Sequence, residues 1–243
     1  MSNKDYMKIP NAEVPAEISK ALENCQNIHA TSFEDKNDIL LSSTLQNEVG
    51  FKKTESGDYL VSMTCPMPGI TAEMINWWFW WHPQKSERYR LWFPGEHYSV
   101  GYSGKNKAYF RALKMPEFEP NIQYPTERIG KIIMPLEIDF ERPETFGFSK
   151  ELLAENNVPT VVCGHVSALK GLVKHTEMAH IFFEKADGLF LVSRFWLGKT
   201  LKNPLLRKII LTDETAKSMA LHCCVEYRNL SKKLSSLFEQ YAK

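Results

Sequence analysis

His222 and Glu226 stand four residues apart in a stretch, Thr212 to Tyr241, whose apolar residues recur at helical spacing. In an α-helix that interval stacks the imidazole and the carboxylate on one face, one turn apart. Met219, Cys223, Leu230, Leu234, Leu237 and Tyr241 follow the same face, which predicts a long amphipathic helix laid against the body of the protein. The polar pair therefore interrupts or borders a buried surface. A buried imidazole and a buried carboxylate are costly unless they pair or bind a metal. Two readings stand: a His–Glu hydrogen bond that stabilises the helix face, or two ligands offered by one rigid element.

Other residues have chemistry to offer. His97 follows a Pro94-Gly95 turn, with Tyr89 eight residues before it, in the kind of loop setting that carries function. Glu127 lies just before a strand-like piece, Ile129 to Met134, and from spacing alone reads as a solvated loop carboxylate. His165 sits in the strand TVVCGHVSALK. His180 sits in a hairpin, MAHIFFEK-ADG-LFLVSRFWLG, closed at Asp187-Gly188, a favoured two-residue turn. With that turn His180, Phe182, Leu191, Ser193 and Phe195 share one face, mixing a histidine with apolar groups as a ligand-lined sheet would. Each of these two histidines reads equally well as a satisfied sheet residue. Arg194, opposite Phe195, reads as structural.

No H-E-x-x-H, G-x-S-x-G, P-loop or G-x-G-x-x-G occurs, so zincin, α/β-hydrolase and nucleotide-binding readings have no support. What remains is nitrogen and oxygen ligands on separate elements. Two imidazoles and one or two carboxylates around an open position suit catalytic Zn²⁺, and Fe²⁺ or Mn²⁺ could take such a site.

The elements that must position these groups read as follows. A short helix is expected over 10–24, with Pro15 in its first turn; residues 29–49 hold at most a strand or two. Tyr59 to Thr64 alternate as a strand that Pro66 and Pro68 end. Thr71 caps a helix from Ala72, with Glu73 early in it. That helix, MINWWFWWHPQ, is aromatic all round and hence core, yet its indoles could face a flat aromatic ligand, and an exposed remainder would suit a homodimer interface. Two strand-like pieces, Ile129 to Met134 and Leu136 to Phe140, precede the hairpin. The order is that of an α+β fold in which an antiparallel sheet packs on a long C-terminal helix, with a ligand-sized cavity between them.

At 243 residues, 43% of them hydrophobic and 24% charged, the chain reads as a single domain over 1–243, with the stretch up to about residue 50 as a peripheral extension. Thirty basic residues against 29 acidic leave a formal charge of +1, no footprint for nucleic acid or an anionic membrane. The five cysteines, Cys25, Cys65, Cys163, Cys223 and Cys224, are scattered and lack a C-x-x-C pair. With an N-terminus that has no apolar h-region, they point to free thiols in a reducing cytoplasm. The most hydrophobic run, Ile75 to Trp81, is too short to span a bilayer.

Four pieces together carry a family resemblance: Tyr89-x-x-Trp92-Phe93-Pro94-x-x-His97, Thr126-Glu127-Arg128-Ile129-Gly130, Ser193-Arg194-Phe195-Trp196-Leu197-Gly198 and His222-x-x-x-Glu226. Over roughly residues 55 to 230 the chain resembles the 2,4-diacetylphloroglucinol hydrolase and phloretin hydrolase family. The resemblance implies a helix-grip, Bet v 1-like fold and a zinc enzyme that hydrolyses the carbon–carbon bond between a polyhydroxylated aromatic ring and an acyl carbonyl. It implies His97, Glu127, His222 and Glu226 as metal ligands, and Tyr89 as the holder of a phenolic hydroxyl. A family histidine that contacts substrate matches either His180 or His165; Trp78, Trp81 and Trp196 are the aromatic faces expected around the ring. Val100 departs from the family, which has an asparagine three residues after the first ligand histidine. The other class of function open to a helix-grip protein is binding of a small aromatic ligand without turnover.

Overall fold

The computed structural model describes residues 3–23, 28–168 and 171–242; Cys25 and the end of the helix expected over 10–24 lie outside them. Nine strands, β1 (Gly50–Lys53), β2 (Tyr59–Pro68), β3 (His97–Ser99), β4 (Asn121–Gln123), β5 (Thr126–Ile129), β6 (Ile132–Glu141), β7 (Thr160–Ala168), β8 (Val173–Lys185) and β9 (Gly188–Leu197), form one antiparallel sheet. Their order is β1-β2-β9-β8-β7-β6-β5-β3, with β4 also paired to β6. The α-helices are α1 (Asn3–Lys8), α2 (Ala16–Glu23), α3 (Asp38–Leu41), α4 (Ser43–Gln46), α5 (Ala72–Trp81), α6 (Ser86–Trp92), α7 (Lys107–Phe110), α8 (Pro143–Phe146), α9 (Lys150–Glu155), α10 (Pro204–Ile210) and α11 (Asp213–Tyr241). This is the expected α+β, helix-grip arrangement. No helix among the described residues is long and apolar enough to cross a membrane.

The terminal helix forms as its sequence dictates. The Thr212 side chain accepts from the Thr215 amide, and Asp213 and Glu214 occupy the first turn, where the helix dipole favours negative charge. Cys223, Tyr227, Leu230, Leu234 and Leu237 are buried against the inner face of the sheet, with Val61, Met63, Met178, Phe182 and Phe195. Each fully buried leucine of this seam contributes about 2 kcal/mol of apolar burial. The outer face, bearing Leu60, Cys163, Ala179, Ile181, Val192 and Trp196, is covered by Ile28, Ile39, Leu40, Phe146, Phe148 and Leu153. Part of the first fifty residues is thus built into a second hydrophobic layer.

Several local expectations differ from what forms. The stretch 29–49 holds α3 and α4 and no strand; Ser42 caps α4 by accepting from Leu45 N, a local side-chain bond that competes with sheet pairing. Strand β2 runs through Pro66 and Pro68, because its pairing with β1 ends at Ser62 and the prolines fall where that side of β2 is an edge. The expected strand 129–134 crosses a hairpin, with Ile129 paired to Ile132 and Gly130 at φ 62° in the turn. The β8–β9 hairpin pairs Lys185 with Gly188, one residue earlier than expected; the parity of each strand is unchanged, so His180, Phe182, Leu191, Ser193 and Phe195 still share one face. In α5 all four indoles are buried in the monomer, which removes the exposed tryptophan surface that a dimer would have used.

Leu234→Ala removes a side chain from the middle of the helix–sheet seam and is expected to cost about 3 kcal/mol of stability, read as a lower urea midpoint at unchanged slope. A midpoint within about 0.5 kcal/mol of the parent would mean that α11 is not packed as described.

Candidate metal centre

Three pieces of chain bring four ionisable side chains to one point. At the end of α6 the Phe93-Pro94-Gly95-Glu96 turn, with Gly95 at φ 89° and His97 N donating to Phe93 O at 2.9 Å, throws His97 onto β3. On the neighbouring strand β5, Glu127 is the direct cross-strand partner of His97, so both side chains leave the sheet on the same face. His222 and Glu226 come up from one face of α11. Trp92 Nε1 donates to Glu226 O and Lys233 Nζ to Leu91 O, both at 2.9 Å, stitching α6 to α11. The N-terminal segment adds a brace: Asn229 Oδ1 accepts from Ala12 N at 2.7 Å, and Asn11 Nδ2 donates to Pro94 O at 3.0 Å.

The resulting distances are uniform. His97 Nε2 lies 3.3 Å from His222 Nε2, 3.3 Å from Glu127 Oε2 and 3.6 Å from Glu226 Oε2. His222 Nε2 lies 3.4 Å from Glu127 Oε2 and 3.8 Å from Glu226 Oε2. Four ligand atoms at ~2.0–2.2 Å from a tetrahedral Zn²⁺ would stand about 3.3–3.6 Å from one another. His97, His222 and Glu226 form a metal-sized group, and Glu127 Oε2 stands beside it, within 3.4 Å of both imidazole nitrogens; nitrogen and oxygen donors of this kind suit a first-row divalent cation. Rings wall one side: Tyr89 stacks on His97 at 4.1 Å and 8°, Trp92 meets His97 edge-on at 5.3 Å, and Phe93 lies 5.0 Å from His222. Glu127, His222 and Glu226 face a cavity on the other.

Burial and proximity divide the protons unevenly. Burial works against ionising Glu127, but hydrogen bonds and charge from His222 and His97 outweigh it and hold its carboxyl well below the usual carboxylate range. Burial raises Glu226 to about 8, only partly offset by His222. For His222 burial is overcome by Glu127 and Glu226, which lift it to about 9, whereas burial dominates at His97 and lowers it. Tyr89 donates to Glu127 Oε2 at 2.9 Å, and its phenol is pushed well above its ordinary value by burial and then by the Glu127 charge.

The cavity in front of this cluster lies between sheet and α11. Tyr89, His180 and Val100 line it; His165, Trp78, Trp81 and Trp196 do not. His180 Nδ1 is 2.8 Å from Ser193 Oγ, and burial brings the imidazole down to about 3. His165 points from the outer face of the sheet, bound to Glu177 and packed on Phe146. Trp196 shares that outer face, its Nε1 donating to Thr31 O at 3.0 Å. Trp78 and Trp81 pack with Trp77 behind the cavity wall.

Two cavity residues escaped the sequence reading. His82 donates from Nδ1 to Trp78 O at 2.8 Å, which leaves Nε2 an acceptor, and its ring stacks on Tyr89 at 5.5 Å; burial takes it to about 3. Tyr227 is fully buried, lines the cavity, and its hydroxyl has no hydrogen-bond partner among the described residues. Its place four residues after Cys223 and three before Leu230 puts it on the helix stripe, a signal that was there to use. Nothing in the sequence marks His82, because the bond that orients it goes to a main-chain carbonyl.

Comparison with known proteins adds an independent finding. Residues 30–239 match the family model described as the DAPG hydrolase PhiG domain. A 2,4-diacetylphloroglucinol hydrolase of Pseudomonas protegens is 34% identical over 208 residues, covering 81% of this chain and 66% of that protein. A phloretin hydrolase of Eubacterium ramulus is 26% identical over 226 residues, 86% of this chain and 78% of that one. The chain thus spans just under two thirds of the length of the Pseudomonas protegens protein.

At neutral pH the metal-free cluster carries protons on His222 and Glu226, and a divalent cation must displace them to bind. Affinity for Zn²⁺ is therefore expected to climb as pH rises through the Glu226 value of about 8 toward the His222 value of about 9. Calorimetric titration in buffers of different ionisation enthalpy would show the released protons, and an affinity flat across that window would contradict the protonation pattern.

Proposed function

The chain belongs to the DAPG hydrolase family, and from that premise we propose that it is a metal-dependent hydrolase of aryl ketones. It cleaves the carbon–carbon bond between a polyhydroxylated aromatic ring and an acyl carbonyl, on acylphloroglucinol or phloretin-like substrates. The observation that carries this reading is the convergence of His97, His222 and Glu226 in a metal-sized group, with Glu127 within 3.4 Å of both imidazole nitrogens, beside a cavity. Zn²⁺ suits that donor set best, and Fe²⁺ or Mn²⁺ would be accepted by the same four groups. When bound, such an ion supplies Lewis acidity to a carbonyl oxygen and lowers the pKa of a water.

The chain's own residues would do the rest. Tyr89 spends its proton on Glu127, so its oxygen is left to accept from a phenolic hydroxyl of the ring. Nε2 of His82 accepts a second such hydroxyl, and the unpartnered Tyr227 hydroxyl can donate to a third oxygen. Held this way, the ring takes a proton on the carbon that bears the acyl group, and the aryl ketone becomes a β-diketone in reactivity. The proton comes from a phenolic hydroxyl of the same ring, and neutral His180 on the cavity wall, its Nδ1 paired with Ser193 Oγ, is placed to relay it from oxygen to carbon. Water adds its oxygen to the carbonyl carbon, the ring–carbonyl bond breaks with its electrons going to the ring, and the products are the deacylated phenol and a carboxylic acid. Preorganised donors in a dry cavity stabilise the negative charge that develops.

Purified protein is expected to carry about one equivalent of metal, and His222→Ala or Glu226→Ala to lose it together with more than ~100-fold of activity, since disturbing even an outer partner of a metal ligand costs 10–100-fold. Metal quantification and chromatographic detection of the released acid from 2,4,6-trihydroxyacetophenone test both parts. Protein without stoichiometric metal, or full activity in both variants, would sink the reading.

A further inference from the structure

The cavity in front of the metal cluster measures about 70 Å³, half or less of the ~150 Å³ that holds a single benzene ring. An aryl ketone does not fit it as it stands. Beside it lies a second space, a groove of about 420 Å³, within the ~300–1,000 Å³ common for sites that enclose small molecules. Three residues line both: Phe79, Gln123 and Phe140. The wall between the two spaces is therefore built of side chains.

These three are not equally free. Phe140 is a buried residue of β6, and the Gln123 amide is tied to Asn121 Oδ1 at 3.0 Å. The Phe79 side chain is held by no hydrogen bond, only by edge-on packing against His82, Trp92 and Phe140 at 5.5, 5.6 and 5.9 Å. Among residues 77–81 it alone is partly exposed, and its ring closes the wall edge-on against Phe140. A turn of this ring out of those contacts would join the spaces. The direction a ligand would take follows from chemistry. The polar groups able to hold a polyphenol ring, Tyr89, His82, His180 and Tyr227, all line the inner cavity, whereas the groove mixes apolar residues, Met115, Phe118 and Val162 among them, with charged ones, Glu117, Glu141 and Arg142.

We infer that the groove beyond Phe79 is the subsite for the acyl arm of the substrate, and that Phe79 is the swinging partition through which the arm passes. The inference rests on the reading of the chain as an aryl-ketone hydrolase and extends it to residues outside the family motifs. With the Phe79 side chain turned aside, the space it vacates adds to the inner cavity; the ring then sits across the opened partition with its carbonyl toward the metal cluster, and an arm of several carbons or a second aromatic ring fills the groove. Selectivity for arm length lies with Phe79 and Met115, away from the ligand set.

The test compares 2,4,6-trihydroxyacetophenone with its 3-phenylpropanoyl analogue on the parent, Phe79→Ala and Met115→Trp, by kcat/KM and by calorimetric Kd on metal-free protein. Met115→Trp fills the groove and is expected to lower the long-to-short ratio of kcat/KM at least ~10-fold, the scale that lost pocket contacts set; Phe79→Ala is expected to raise it. A ratio that neither variant moves, or a parent that binds and cleaves both ketones equally, overturns the subsite while leaving the hydrolase reading intact. A parent that cleaves neither ketone but binds the longer more tightly, with the preference lost in Met115→Trp, keeps the subsite and overturns the hydrolase reading. Binding of neither overturns both.

Discussion

Two carboxylates, each within 3.8 Å of two buried imidazole nitrogens, make a group that is costly to bury in any other arrangement. A single buried ion without its partners costs several kcal/mol, so the four must be brought together or not buried at all. Much of the fold is arranged to meet that demand. The β3–β5 pairing sets His97 opposite Glu127, and α11 sets His222 one turn from Glu226. What remains is to hold a strand pair and a helix in fixed relation, and that falls to α6.

The ties that do this are hydrogen bonds to main-chain groups. Trp92 reaches a carbonyl of α11, and Lys233, only 1% exposed, reaches back to the carbonyl of Leu91 near the end of α6. A cation at a helix C-terminus answers the unsatisfied carbonyls there. Burial pulls this lysine down to about 8, so its charge is retained at neutral pH with little margin. Asn11 and Ala12, in a segment that reads as peripheral, bridge Asn229 of α11 and the Pro94 turn. The seam of leucines below then keeps water from the whole assembly.

What the sequence discloses is what local chemistry decides. Helix α11 was legible from its threonine cap to its last apolar stripe, because periodicity and capping need no distant partner. The face of His180 was legible too, since strand parity survives a turn displaced by one residue. The same parity, applied one residue past Phe195, would have sent Trp196 to the outer face beside Arg194. Glu127 was not legible from spacing: its burial is set by a strand partner thirty positions away, and a carboxylate in a charged, proline-rich stretch has no local mark of that. Family likeness supplied what periodicity could not. Of the two histidines that competed for contact with the substrate, His180 lies on the cavity wall and His165 outside it.

Trp92 touches both halves of the cluster, its ring edge-on to His97 at 5.3 Å and its N–H on the carbonyl of Glu226. Its indole also stands 5.9 Å from Trp78, which is in ring contact with Trp77 and Trp81. Because one side chain meets an imidazole of the strand pair and the main chain of the helix, a displacement of either element disturbs both of its contacts at once.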